Sequence, residues 1–212
     1  MKKIFPVVLL CLCLVLSACG SFKVKNPLAY ADTSFFLSVR GELYLDAPPP
    51  LSDGTVGKIR TGEPLAFSAE ISSRPLPAGK VVDGLPSGGE AYEVSITYTS
   101  PDALSGLSVT CLYGGREIAT AATLTYPSPT GVMTVSSSYG AVKGLLAPAI
   151  ALLPQGDIGQ VSPIKDGTWT VTCQEVEGRV ATYHFVEDKI YPIKVETAGQ
   201  GYRIFVYVDP KA

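Results

Sequence analysis

The residues best suited to chemistry are one histidine, one pair of glutamates and the cysteines. His184 is the only histidine, so a Ser-His-Asp hydrolase would have to use it. The chain has no G-x-S-x-G nucleophile motif, and Tyr183 and Phe185 flank His184 in a strand-like run. We therefore predict a half-exposed or hydrogen-bonded strand residue rather than a catalytic base.

Glu175 and Glu177 are two residues apart, so on a strand they would share a face. A glycosidase needs two neighbouring carboxylates, but charged neighbours on a solvated hairpin explain the pair more simply. The Asp-Gly pairs at 53–54, 83–84 and 166–167 are isolated, which is typical of turns rather than of Ca²⁺ loops. The sequence thus predicts no catalytic residue, no metal site and no cofactor.

The amino terminus has the pattern of a secretory signal. Lys2 and Lys3 precede an apolar run over residues 4–16, and two small residues follow at 17–18. This run is too short for a bilayer core, which needs about 20 residues, but it fits the roughly 7 to 15 apolar residues of a signal. We predict that residues 1–18 are removed.

Leu16-Ser17-Ala18-Cys19 resembles the lipobox of bacterial lipoproteins. The resemblance implies that the Cys19 thiol receives a diacylglycerol and that cleavage makes Cys19 the first residue. Lipid on Cys19, rather than a spanning segment, would then hold the protein on a membrane; an ordinary signal with an incidental cysteine is the alternative. In similar lipoproteins an Asp after the cysteine marks the inner membrane, so Gly20 favours the outer membrane if the cell has one.

Two cysteines remain in the mature chain, Cys111 and Cys173, because Cys11 and Cys13 lie in the removed segment. Both fall in strand-like runs, SVTC and TVTC, and an oxidising envelope favours pairing them. A disulfide closing a loop of roughly 60 residues would contribute about 4 kcal/mol. Two separate buried thiols are the alternative. No CxxC spacing or histidine pair indicates redox or zinc chemistry.

The mature chain is mildly acidic. Fifteen of the seventeen Lys and Arg remain against nineteen Asp and Glu, which gives a formal charge of −4. Nucleic-acid binding depends on clustered basic residues, and no such stripe is present. We therefore expect no nucleic-acid partner.

Ten strand-like runs follow a short tether that we place at residues 19–32. They show two-residue alternation or enrichment in β-branched and aromatic residues, and Gly- and Pro-rich turns separate them. This pattern predicts an all-β fold, an antiparallel β-sandwich. The runs cover residues 35–45, 65–72, 91–99, 107–113, 118–126, 131–138, 169–176, 179–187, 190–197 and 202–208.

Two stretches around the cysteines are similar, residues 107–120 and 169–182, and each predicts a hairpin. Either a duplication or the frequent reuse of strand and turn residues explains this. Residues 166–173, DGTWTVTC, resemble the late strand of immunoglobulin-like and hyalin-repeat-like modules. The resemblance implies an immunoglobulin-like sandwich over 101–212, with a cysteine separation like that of the inter-sheet bridge; residues 33–100 would be an N-terminal β region that could form a separate unit.

The longest apolar stretch of the mature chain is AVKGLLAPAIALLP, residues 141–154. Gly144 and Pro148 disfavour a long helix. We predict a connection of one or two helical turns that packs over an open end of the sandwich. The alternative is an exposed surface that contacts a partner or lipid, formed by Leu145, Leu146, Ile150, Leu152 and Leu153.

These features favour a lipid-anchored, non-catalytic binding or structural module of the cell envelope, for a protein partner or a glycan. The second hypothesis is a subunit of a secretion, pilus or surface-appendage assembly, with the C-terminal hairpin 190–208 as its pairing edge. The third is a hydrolase around His184 or the glutamate pair.

Overall fold

The computed structural model describes residues 27–47, 63–79, 82–86, 89–155, 157–174, 178–199 and 201–209. Outside these ranges lie the signal-like segment 1–18, Cys19 and most of the predicted tether. The pair Glu175 and Glu177 also lies outside them.

Within these described ranges, eleven strands form one antiparallel sheet in the order β6-β5-β4-β3-β2-β1-β11-β10-β9-β8-β7. The all-β prediction is confirmed. The immunoglobulin-like sandwich is wrong, because the strands pair side by side in one open sheet and a helix, instead of a second sheet, supplies the packing partner. The strands are β1 Phe35–Ala47, β2 Leu65–Pro75, β3 Ala91–Ser100, β4 Ser108–Gly114, β5 Glu117–Ser128, β6 Gly131–Ser138, β7 Asp157–Val161, β8 Thr168–Gln174, β9 Val180–Val186, β10 Lys194–Gly199 and β11 Gly201–Val208.

The chain runs as two meanders that meet in the middle of the sheet. Strands β1 to β6 build one half and β7 to β11 the other, and β1 lies between β2 and β11. Strands from before and after residue 100 therefore share one sheet and one core. Each of the ten predicted runs overlaps a strand, although β10 begins at Lys194, four residues after the start of the predicted run 190–197. The prediction missed β7, because its five residues, DIGQV, carry only a weak strand pattern.

The α-helix α1, at Tyr139–Leu152, connects the two meanders across the sheet. The Ser138 side chain accepts a hydrogen bond from the Ala141 N–H at 3.3 Å and so caps the start of the helix. The prediction of one or two turns is wrong, because α1 has 14 residues, nearly four turns. Burial of Leu146, Ala149, Ile150 and their neighbours against the sheet outweighs the local cost of Pro148.

The core lies between α1 and the sheet, and tyrosines tie the two together. The Tyr98 hydroxyl donates to the carbonyl oxygen of Leu145 at 2.6 Å. The Tyr113 hydroxyl donates to the carbonyl oxygen of Pro154 at 2.8 Å. These bonds fix the helix at its middle and just beyond its end.

The last residues of the predicted tether belong to the core. Residues Ala29–Asp32 form a 3-10 helix, and Leu28 and Tyr30 are almost fully buried. The Tyr30 hydroxyl donates to the carbonyl oxygen of Leu152 at 2.6 Å. The fixed body of the protein therefore begins by Leu28.

Candidate functional site

The alternative prediction for residues 141–154, an exposed apolar contact surface, is wrong. Leu146, Ile150, Leu152 and Leu153 are at most 1 % exposed, and Leu145 is partly buried against the same core. Their side chains hold α1 on the sheet and offer a partner no accessible patch.

No disulfide joins Cys111 to Cys173, so that pairing is not found. Both thiols are buried, Cys111 on β4 and Cys173 on β8. The two strands lie in different halves of the sheet, with β3, β2, β1, β11, β10 and β9 between them. Burial raises the pKa of the Cys111 thiol to about 12, which disfavours its reactive thiolate form.

His184 lies on β9 opposite Thr170 of β8 and Lys194 of β10. Its neighbours Tyr183 and Phe185 are buried in the core, so strand alternation places His184 on the opposite face of the sheet. Burial, and secondly the Lys194 charge, lower the pKa of His184, while Glu196 raises it. This histidine is half-buried at a strand position, as the sequence predicted.

A cleft of about 830 Å³ lies among the described residues. Residues from both halves of the sheet and from α1 line it, so only the folded sheet creates it. Its charged and polar lining consists of Arg116 of the β4–β5 turn, Glu117 of β5, Tyr139 and Lys143 of α1, Gln155 after α1, Arg179 before β9 and Tyr202 of β11.

Among the described residues of this lining, three side chains are cationic and one, that of Glu117, is a carboxylate. Arg179 is only 8 % exposed, whereas Arg116 and Lys143 are partly exposed. The described part of the lining therefore carries more positive than negative charge, in a chain of acidic net charge.

Local backbone geometry positions two of the lining residues. Arg116 has a φ of 66° in the tight β4–β5 turn, which lets the chain reverse and presents the side chain at the cleft. The Tyr202 ring lies over Gly199, where a Cβ atom would collide with it. Glycine at 199 therefore leaves room for the Tyr202 ring.

Arg116 also acts on a carboxylate at the same end of the sheet. Burial raises the pKa of Asp32, Arg116 opposes this shift, and Glu90 adds to it. The Tyr92 hydroxyl donates to a carboxylate oxygen of Glu90 at 2.7 Å and lies 2.6 Å from the carbonyl oxygen of Asp32. Arg116 therefore lies close enough to Asp32 to affect its carboxylate, and it also lines the cleft.

Sequence reasoning missed the cleft, because its residues are spread over 116–202 without a motif. His184 is not among the lining residues, nor is either cysteine. The sequence offered one signal for the cleft, namely the basic residues that lie in turns and within residues 139–143.

Within the described ranges, no group of three or more His, Cys, Asp or Glu is arranged to hold a metal. No helix in these ranges has both the length and the hydropathy for a membrane span.

No protein-family model matches this chain, and no curated protein matches it. The crystal structure of a DUF1329 family protein from Desulfovibrio piger is similar over 86 % of this chain and 87 % of that one, with 10 % identity and a TM-score of 0.46. A putative outer membrane lipoprotein-sorting protein domain from Vibrio parahaemolyticus is similar over 82 % of each chain, with 8 % identity and a TM-score of 0.32. No residue role is carried over from either protein.

Proposed function

We propose that this chain is a lipid-anchored binding protein of the bacterial cell envelope whose cleft takes an anionic ligand, in the first place an acidic glycan. The observation that carries the proposal is the locally basic cleft of about 830 Å³. A cleft of this size is in the usual range for small-ligand sites. It favours a glycan over a flat protein surface as the occupant.

The chemistry of the lining fits a carboxylate or phosphate. Guanidinium groups such as those of Arg116 and Arg179 bind these anions through two parallel hydrogen bonds, and Lys143 adds a point charge. Tyr139 and Tyr202 each bring an apolar ring with a polar tip, which suits a ligand that has both apolar and hydroxyl-bearing faces.

The anchoring half of the proposal rests on the lipobox-like sequence that ends in Cys19. Only eight residues, 20–27, separate Cys19 from the buried Leu28. A lipid on Cys19 would therefore keep the cleft-bearing body close to the membrane surface, in an envelope compartment. Gly20 favours the outer membrane over the inner one.

Neutralising Arg116 and Lys143 is expected to weaken binding of an acidic glycan. The probe is a glucuronic-acid oligosaccharide, measured by calorimetry against its carboxyl-reduced counterpart. Each hydrogen bond to a charged group contributes about 1.5–3 kcal/mol, so Arg116→Gln and Lys143→Gln should each raise Kd by roughly tenfold or more. The carboxyl-reduced probe should bind weakly to every variant.

Arg74→Gln is the matched control, because Arg74 is exposed on β2 and does not line the cleft. Its Kd should equal that of the unaltered protein. Equal affinity for the acidic and reduced probes, or an equal loss in the Arg74 variant, would contradict an anion-binding cleft.

The outer edge of β6 supports a second candidate function, a subunit of an envelope assembly. All eight residues of β6 are exposed or half-exposed, and none is charged. The opposite edge, β7, has five residues, an irregular register and Asp157, which are features that protect an edge strand. The hairpin 190–208 cannot offer the predicted pairing edge, because β10 and β11 are paired on both sides.

A lysine at the β6 edge is expected to abolish partner pairing there. In cells, benzoylphenylalanine at Ser136 should crosslink to an envelope protein, and Val135→Lys in the same chain should remove that product. Because Val135 is 48 % exposed, folding stability should change by no more than about 0.5 kcal/mol.

Val161→Lys, on the β7 edge, is the control and should leave the product intact. A crosslink that survives Val135→Lys would exclude pairing through β6.

A further inference from the structure

The N-terminal segment enters the body of the protein at one end of the sheet. Leu28 is 1 % exposed and Tyr30 is 2 % exposed, so this segment is fixed there. Nine residue steps separate Cys19 from Leu28, which allow a span of at most about 30 Å. If Cys19 carries lipid, as the proposed function states, this end of the sheet cannot leave the membrane surface by more than that distance.

Ring contacts show which elements surround this entry point. Tyr191 of the β9–β10 connection packs on Tyr30 and on Phe35 of β1, with ring centroids 5.9 and 6.3 Å apart. Phe185 at the end of β9 packs on Tyr30 at 6.5 Å and stacks on Trp169 of β8 at 4.5 Å. The start of β1, the end of β9 and the start of β8 therefore meet around the N-terminal segment.

The β7–β8 connection reaches the same place. The N–H of Glu187 donates to the carbonyl oxygen of Gly167 at 2.8 Å, so this connection touches the one between β9 and β10. Ile193, at the end of the latter connection, bonds through its backbone to His184 and Val208. The two connections and the start of β1 thus form one continuous rim.

Four large apolar side chains of this rim point into solvent. The exposed fractions are 59 % for Phe36, 55 % for Ile164, 73 % for Ile190 and 39 % for Ile193. We call these four residues the apolar rim. Single exposed apolar residues are ordinary, but several at one end of a molecule mark a contact surface.

We propose that the apolar rim rests in the interfacial layer of the same bilayer that holds the lipid on Cys19. The short link to Leu28 identifies the occupant, because it brings this end of the sheet to a lipid surface. Lys165 and Lys189 are balanced by their neighbours Asp166 and Asp188. Attraction to anionic headgroups is therefore small, and burial of apolar side chains drives the contact.

The test uses the full mature protein, purified from membranes and reconstituted in vesicles of phosphatidylethanolamine and phosphatidylglycerol. Spin labels are placed singly through Ile164→Cys and Ile190→Cys. Both sites are exposed, so the fold is not at risk, while Cys111 and Cys173 are buried. We expect each label to lose most of its accessibility to a water-soluble nickel complex and to gain accessibility to oxygen, in 0.1 M and 1 M salt alike.

Val132→Cys is the matched control. Val132 is 71 % exposed on β6, away from the rim, and its label should stay in water. Labels at 164 and 190 that behave like this control, on protein whose acylated amino terminus is confirmed by mass spectrometry, would overturn the rim contact. Rim labels that return to water in 1 M salt would also overturn it, whereas an unmodified amino terminus would contradict the proposed lipid anchor instead.

Discussion

Replacement of Cys19 by alanine is expected to abolish lipid attachment and to move the protein out of the membrane fraction. The lipobox resemblance implies that the Cys19 sulfur is the atom that would carry the diacylglycerol. A single acyl chain holds a protein only weakly, with an association constant of about 10⁴ M⁻¹, and stable anchoring takes two signals. The four exposed side chains of the apolar rim should not by themselves hold the protein on the membrane when the lipid is missing.

The measurement is fractionation of cells followed by mass spectrometry of the amino terminus. The unaltered protein should carry acyl chains on Cys19 and pellet with membranes; the Cys19→Ala protein should lack them and either stay as an unprocessed precursor or appear in the soluble envelope fraction.

Cys13→Ala is the matched control, since it removes a cysteine from the same segment and leaves Leu16-Ser17-Ala18-Cys19 intact. It should be acylated normally. An unmodified amino terminus on the unaltered protein would remove the basis for the anchor.

Replacement of Leu146 by alanine is expected to destabilise the protein by about 2–5 kcal/mol. Leu146 has no exposed surface and lies in the middle of α1. Its side chain fills space between the helix and the sheet, and a methyl group there would leave a cavity. Because small domains are stable by only about 5–15 kcal/mol, this loss is a large share of the total.

Urea unfolding followed by the fluorescence of Trp169, the single tryptophan, measures this effect. Val132→Ala is the control, because Val132 is exposed on the edge strand β6, and it should change the free energy of unfolding by less than about 0.5 kcal/mol. Equal effects of the two substitutions would contradict the placement of α1 on the core.

The disulfide prediction failed because local sequence predicts which residues lie in strands but does not predict which strands lie next to each other. The runs SVTC and TVTC correctly predicted that Cys111 and Cys173 lie in strands, and both thiols are buried. Whether two buried thiols meet depends on strand order, and β4 and β8 belong to different halves of the sheet. Likewise, Gly41 has no room for a Cβ atom because the Phe67 ring and the Phe205 carbonyl lie against it, which β1 alone does not reveal.

The helix α1 also shows that local sequence and tertiary contacts decide different features of the structure. Its residues are a strong apolar run, which the sequence displayed, but Gly144 and Pro148 lower the intrinsic helix propensity. Contact with the sheet overrides that preference. The identity of the run as a buried helix was therefore a tertiary outcome, as was the placement of Leu146, Ile150, Leu152 and Leu153 inside the core.

The sequence by itself determined the approximate positions of ten strands, because side-chain alternation and Gly/Pro punctuation are local properties. It also contains the lipobox-like segment, which is recognised from the identities of four consecutive residues. Only the tertiary structure decided that these strands form one open sheet, that α1 covers it, and that Arg116, Lys143 and Arg179 share a cleft. These outcomes depend on pairing between segments that are distant in the sequence. Each strand has several possible partners, because the strands have similar local patterns. Burial of the whole core selects among these pairings.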